Sequence, residues 1–467
     1  MPRLPVFISL GLLGVLAVIA AVVVRAPGVG SRDAGEGYEE IRLSQARAIE
    51  VRRGDERSRV ERTEGGWIAA WQEPGGERRW PVDESTVRAA IRLINEGLRP
   101  EPGGSGVNAE SGDWAVRVTI RGAEAGRATE VRMGEPRVGG VADAAFRQGD
   151  AEWQAASIEA DLFELFSSGG PRAWRDPRVG TGLEWDPGRI VVAGGPQGEL
   201  VLEKQRGTWV ATAPVAARCE PDRVRAIVAA VTSARVLRFV DAEVMERESL
   251  TLASMGLASA IGRLSVESAR GDGARFVLEI GAESPRSATS RYARVTMERG
   301  GDADGGAAWG PMVAEVDVEE LGEAFPVIEQ VAARTALGGE PLEVGGMTVR
   351  AFESGRELTL SRRGVRWEVA EAPVADTTQQ LATALTERLL AAKAARVTRE
   401  SIPATRLAQV ELFDYRGGSV GSCLVAIVPA AGDQQRPVIA IESEGFTRLY
   451  DASVFPADLL RWLAAPN

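Results

Sequence analysis

A charged hairpin, a tryptophan, a Pro-Val step and an amphipathic helix follow one another three times along this chain. No other feature of the sequence limits its fold as strongly. The copies begin at Arg59, Leu200 and Leu358, and their marker tryptophans are Trp67, Trp209 and Trp367. The Pro-Val steps are Pro81-Val82, Pro214-Val215 and Pro373-Val374. Tryptophan spacings of 142 and 158 residues are the size of a whole module, well beyond the roughly 20–50-residue period of a solenoid. A chain of 467 residues has room for three domains of roughly 150 residues. Each would bury about two-thirds of its unfolded surface, enough for a core of its own.

The pattern between the markers sets the layers. In module one, residues 41–170, Asp83 stands where a helix cap is expected, and Val87, Ile91, Ile94 and Leu98 share one face. A Gly/Pro-rich connection at 100–112 leads to alternating stretches at 114–120 and 129–134, then a strand at 144–148. Residues 157–166 read as a closing amphipathic helix capped by Ser157. Module two, residues 171–334, repeats the order. Pro221 opens a helix with Val224, Ile227, Val228 and Val231 on one face, and Asp317 is expected to cap a closing helix over 318–325. Module three, residues 335–467, does so again with Leu381, Leu385 and Leu389. Trp153, Trp309 and Tyr450 each stand shortly before the closing helix of their module. Period-two strands need only one buried face, so each module is expected to be a mostly antiparallel sheet with two covering helices, an α+β fold. The marker tryptophans are expected to pack beneath the helix that follows them.

Leu4 to Val24 is an uncharged run of 21 residues bounded by Arg3 and Arg25. A helix of about 20 apolar residues spans a bilayer, so residues 4–24 predict a transmembrane helix and the membrane as a partner. Residues 25–40, rich in glycine, read as a flexible linker. The expected address is the cytoplasmic (inner) membrane, crossed once, with the bulk of the chain periplasmic. Cleavage near Val18-Ile19-Ala20, giving a secreted protein, is the alternative.

A net charge of −11 opposes general binding to nucleic acid, which requires basic faces. The chain holds no histidine, which removes Ser-His-Asp and Cys-His catalysis and histidine-ligated metals. Cys219 and Cys423 lie in different modules and read as two isolated buried thiols. Gly417-Gly418-Ser419-Val420-Gly421 satisfies the G-x-S-x-G pattern, but a strand follows where a nucleophile elbow needs a helix. It reads as a hairpin turn. Asp302 and Asp304 in residues 301–306 lack the further ligands and closing glutamate of a calcium loop. There is no phosphate-binding G-x-x-x-x-G-K-[ST] motif. The sequence therefore offers no catalytic, cofactor-binding or metal-ligating residue, and no cofactor is expected.

Several residue groups resemble the domain of unknown function 4340 family. They are Arg362-Arg363-Gly364-Val365-Arg366-Trp367 with Pro373-Val374, Arg206-Gly207-Thr208-Trp209 with Pro214-Val215, and Trp174-Arg175-Asp176-Pro177-Arg178-Val179. Module one departs through a longer insert between Trp67 and Pro81-Val82. The resemblance implies an envelope protein with an N-terminal membrane helix, accessory to a complex of the ABC-transport kind, without carrying over any catalytic residue. The resulting expectation is a non-catalytic scaffold with a protein partner in the envelope. The alternative is a module binding cell-wall glycan or peptide through exposed aromatics such as Trp71 or Trp80. A carboxylate-pair hydrolase would need two Asp or Glu in one deep pocket.

Overall fold

The computed structural model describes residues 40–466, apart from 75, 106–111, 123–127, 184, 196–197, 299–308 and 430–437. The expected membrane helix at 4–24, almost all of the 25–40 linker, and Asp302 and Asp304 lie outside the described residues. Among the described residues, no helix is long and apolar enough to cross a membrane.

Three nine-stranded antiparallel sheets follow one another, all with the same strand order. The first comprises β1 (Ala46–Arg53), β2 (Glu56–Thr63), β3 (Gly66–Glu73), β4 (Gly76–Val82), β5 (Arg99–Ser105), β6 (Val116–Gly122), β7 (Ala128–Met133), β8 (Val141–Gln148) and β9 (Gln154–Glu159), in the order β4-β3-β2-β1-β6-β7-β8-β9-β5. Its helices are α1 (Glu84–Gly97) and α2 (Ala160–Ser167). Val87, Ile91 and Ile94 are buried on α1, as their spacing demands.

The second sheet runs from β10 (Pro187–Gly195) through β11 (Gly198–Gln205), β12 (Thr208–Ala213), β13 (Ala217–Arg218), β14 (Val236–Phe239), β15 (Gly262–Ser268), β16 (Arg275–Glu283) and β17 (Ser290–Glu298) to β18 (Trp309–Asp317). It carries α3 (Pro221–Ser233), α4 (Ala242–Arg247) and the single turn α5 (Ile328–Val331). The third contains β19 (Val344–Ala351), β20 (Glu357–Arg363), β21 (Arg366–Val369), β22 (Ala372–Pro373), β23 (Arg396–Thr398), β24 (Thr405–Asp414), β25 (Ser419–Val428), β26 (Val438–Ser443) and β27 (Phe446–Asp451), with α6 (Asp376–Ala391) and α7 (Ala457–Ala464). Its core joins Met347, Val349 and Leu360 of the sheet to Leu385 and Leu389 of α6 and Leu459 and Leu463 of α7.

The α+β reading with a dominant antiparallel sheet holds at this level, while several local expectations change. Ser157 does not cap a helix. It lies in β9 paired with Asp143 and Arg99, and α2 starts only at Ala160. Burial of Ala155, Ala156 and Ile158 against the sheet outweighs the capping signal. Residues 318–325 form turns and one 3-10 turn at Gly322–Ala324 in place of a helix. Gly322 and the following Pro326 disfavour a longer helix, although Asp317 Oδ1 still accepts from the Glu319 amide at 2.9 Å. Strands β5, β14 and β23 were not visible as alternation, yet each pairs with its module's last long strand. The G-x-S-x-G run spans the end of the turn after β24 and the first residues of β25, the turn being held by Asp414 Oδ1 accepting from the amides of Arg416 and Gly418, each at 2.8 Å.

Contacts divide the chain into two compact units. Among the described residues, one holds 40–62 with 84–174, and the other holds 63–83 with 175–466. The hairpin of β3 and β4 thus belongs to the second unit, together with modules two and three.

Candidate functional site

The marker tryptophans set a common register. Trp67 stands opposite Val82, with Ile68 opposite Pro81. In module two the Cys219 amide donates to the Trp209 carbonyl at 2.9 Å, with Val210 opposite Arg218. In module three the Val374 amide donates to the Trp367 carbonyl at 3.4 Å, with Glu368 opposite Pro373. Val82, Cys219 and Val374 each stand two residues before the following helix begins. Trp367 is held beneath that helix as expected, its Nε1 donating to Thr383 of α6 at 3.1 Å. The Pro-Val steps of modules one and three are therefore equivalent. That of module two is not: Pro214-Val215 lies between β12 and β13, and Arg218-Cys219 occupies the matching place.

At this place the chain returns to pair with its own hairpin. Ahead of module two, Arg175 forms an antiparallel bridge with Val82, and the Asp176 amide donates to the Pro81 carbonyl at 2.8 Å. Ahead of module three, Ala332 bridges Cys219, and the Ala333 amide donates to the Arg218 carbonyl at 2.8 Å. The Glu220 amide then donates to the Val331 carbonyl, also at 2.8 Å. The two lead-in segments keep equal distance from their sheets: Arg175 precedes buried Ile190, and Ala332 precedes buried Met347, by the same number of residues. Because the paired carbonyls belong to residues opposite a non-hydrogen-bonded partner, they face away from the hairpin and are free to accept. Proline suits this edge, since it has no N–H to leave unmet.

Side chains reinforce both joints. At the first, Trp80 Nε1 donates to the Asp176 carbonyl at 2.8 Å, and its ring meets Trp309 edge-on at 4.5 Å. Arg175 forms a two-bonded pair with Asp241, at 2.7 and 2.9 Å, while lying 3.8 Å from the Phe239 ring centre. At the second, Arg448 is wholly buried. Its Nε donates to the Ala333 carbonyl at 2.9 Å, Nη1 to the Ser443 carbonyl at 2.9 Å and hydroxyl at 2.6 Å, and Nη2 to Glu444 at 3.0 Å. Burial pulls its basicity below that of an ordinary arginine. Glu444 also receives Arg218 Nε at 2.7 Å, from a tight turn in which Glu444 and Gly445 both have positive φ (54° and 74°). Tyr450 donates to the Arg334 carbonyl at 3.1 Å, and burial raises its phenol pKa. All five bonds of Arg448 and Tyr450 end on groups that hold the lead-in or its adjoining turn, so these residues secure the joint.

The third module presents the same edge differently. Trp80 and Ala217, the counterparts of Ala372, are buried, as is Pro81, whereas Ala372 and Pro373 are exposed. Among the described residues no strand bridges Val374. Beside it runs a groove of about 830 Å³, floored by Leu358, Val369, Leu381 and Trp462. Trp462 is buried, but its indole N–H meets no acceptor. In module two a cavity near α3 is lined by Arg223, Gly322 and Glu323 together with Pro326, Val331 and Arg334.

Trp71 and Trp80, named in the alternative reading as exposed aromatics, are only 4% and 0% exposed. Cys219 and Cys423 are free buried thiols, each pushed up to about 12 by burial. Among the described residues no group of His, Cys, Asp or Glu is arranged to hold a metal ion. Sequence reading missed the edge itself, Arg448 and the Trp462 groove. The available signal was the recurring position two residues before each helix, obscured in module two by Pro214-Val215.

No family model matches the chain, and no curated protein matches it.

Proposed function

We propose that the protein is a single-pass, membrane-anchored scaffold or accessory subunit of an envelope complex. In this reading residues 4–24 hold it in the membrane, and its modules bind a protein partner instead of transforming a substrate. The observation supporting a binding role is the repeated main-chain joint, used twice within the chain and left exposed at Ala372-Pro373 in the third copy. Surfaces that pair main chain with main chain are suited to holding polypeptide. The apolar run at Leu4 to Val24 supports the anchor. The resemblance of the Trp-containing hairpins to the domain of unknown function 4340 family supports an accessory role beside a transport complex.

Crosslinking of the tagged full-length protein in native membranes, followed by identification of co-purifying chains, tests this. A stoichiometric membrane-complex subunit is the expected result. Recovery of the protein by itself, or turnover of an envelope substrate by the purified chain, would remove the reading.

A further inference from the structure

We propose that the third module accepts an extended segment of a separate partner protein by strand addition at Val374. The Pro373 carbonyl and Ala375 amide supply the main-chain bonds, and the adjoining groove takes the segment's apolar side chain. This deepens the scaffold reading and rests on it.

The chain itself shows what covers such an edge. At Cys219 the occupant is Val331-Ala332-Ala333: a buried apolar residue, the bridging residue, and one whose amide reaches the Arg218 carbonyl. At Val82 the bridging Arg175 likewise follows a buried apolar residue, Trp174. Because Val374 donates to Trp367 as Cys219 does to Trp209, the Pro373 carbonyl must project away from β21, as the Arg218 carbonyl does. Among the described residues no acceptor meets the Ala375 amide, whose counterpart on Glu220 donates to Val331. Ala375 is extended, with φ −57° and ψ 149°.

A second observation points to a ligand independently. Trp462 is 5% exposed, lines the groove, and has an indole N–H without an acceptor. A buried donor of this kind is costly unless something meets it. A carbonyl on an incoming segment would do so. The occupant is therefore a polypeptide strand with an apolar residue followed by a small one, recognised chiefly through its main chain.

The test uses the full chain and, as probe, a synthetic peptide of residues 326–337, which carries the occupant pattern of the second joint. Hydrogen exchange should show new protection centred on the Ala375 amide. Ala375→Pro removes only the donor, because the φ of Ala375 already suits proline. It should keep its thermal unfolding midpoint and bind the peptide about 10-fold more weakly, in line with the loss of one hydrogen bond. Trp462→Phe, which keeps an aromatic ring, should weaken binding several-fold. Equal binding by wild type and Ala375→Pro, or protection elsewhere, overturns the proposal. Concentration-dependent self-association that Ala375→Pro abolishes would give the edge to a second copy and overturn the assignment to a separate partner. If a subunit crosslinked in membranes is retained by Ala375→Pro, the scaffold reading stands and the edge assignment falls. If no subunit is recovered while the peptide protects Ala375, the edge stands and the scaffold reading falls.

Discussion

Arg448 Nε donates to the Ala333 carbonyl at 2.9 Å, from a guanidinium with no exposure to solvent. A buried charge is costly unless its bonds are met, and Arg448 meets them with two carbonyls, a hydroxyl and a carboxylate. Removing it takes a donor from the carbonyls of buried Ala333 and Ser443, while Glu444 keeps its bond from Arg218. Arg448→Met is expected to destabilise the protein by about 3 kcal/mol. Urea unfolding followed by tryptophan fluorescence checks this, and a midpoint unchanged from wild type would show that the joint does not depend on Arg448.

Trp80 is wholly buried, stacked edge-on against Trp309, and bonded to the Asp176 carbonyl. Trp80→Ala is expected to cost about 3–5 kcal/mol, the range for deleting a large buried aromatic. Retention on insoluble wall material should change only as far as folding does. Thermal unfolding measured alongside retention separates the two effects.

The two thiols should be silent in the folded protein. Burial pushes Cys219 and Cys423 from an ordinary value of 9.0 up to about 12, so almost no thiolate exists at pH 8. A thiol reagent at that pH is expected to modify neither residue in native protein and both in denaturant. Rapid modification of either without denaturant would contradict the burial described for it.

The same shifts carry a pH dependence. The folded protein retains thiol protons that the unfolded chain gives up, so this stabilisation is complete below about pH 9 and is lost as pH rises toward 12. Tyr450, also raised by burial, acts in the same direction. Denaturation midpoints should fall steadily from pH 9 upward. In a double variant with Cys219→Ala and Cys423→Ala the decline should be shallower.

Ser419, in the G-x-S-x-G run, begins β25 and is exposed. Ser419→Ala is expected to change stability by less than about 0.5 kcal/mol, as for other exposed positions without a special role. A larger loss would indicate a bond that the turn at Asp414 does not explain.

The layered fold was legible because its signals are periodic. Val87, Ile91 and Ile94 fall on one helical face, and the strands of module three alternate as a one-sided sheet does. The short closing strands were not legible. Val236–Phe239 and Arg396–Thr398 are too brief to show a period, and pairing with β18 and β27 fixes them. Ser157 misled for a related reason, since a local capping preference is weaker than burial of the neighbouring Ala156 and Ile158. The candidate edge was hidden more deeply. Its working atoms at Pro81, Arg218 and Pro373 are carbonyl oxygens, which any residue supplies, so no side-chain motif marks them.

That anonymity bears on how such a chain can change over time. An interface written in side chains must be reinvented whenever a module is added, because both faces have to mutate together. A joint made from one carbonyl, one amide and a fixed offset to the next sheet is copied intact whenever a module is duplicated. Proline, arginine and proline can therefore stand at the three matching positions without disturbing the arrangement. Lengthening the array requires no new recognition chemistry, only another lead-in of the right length.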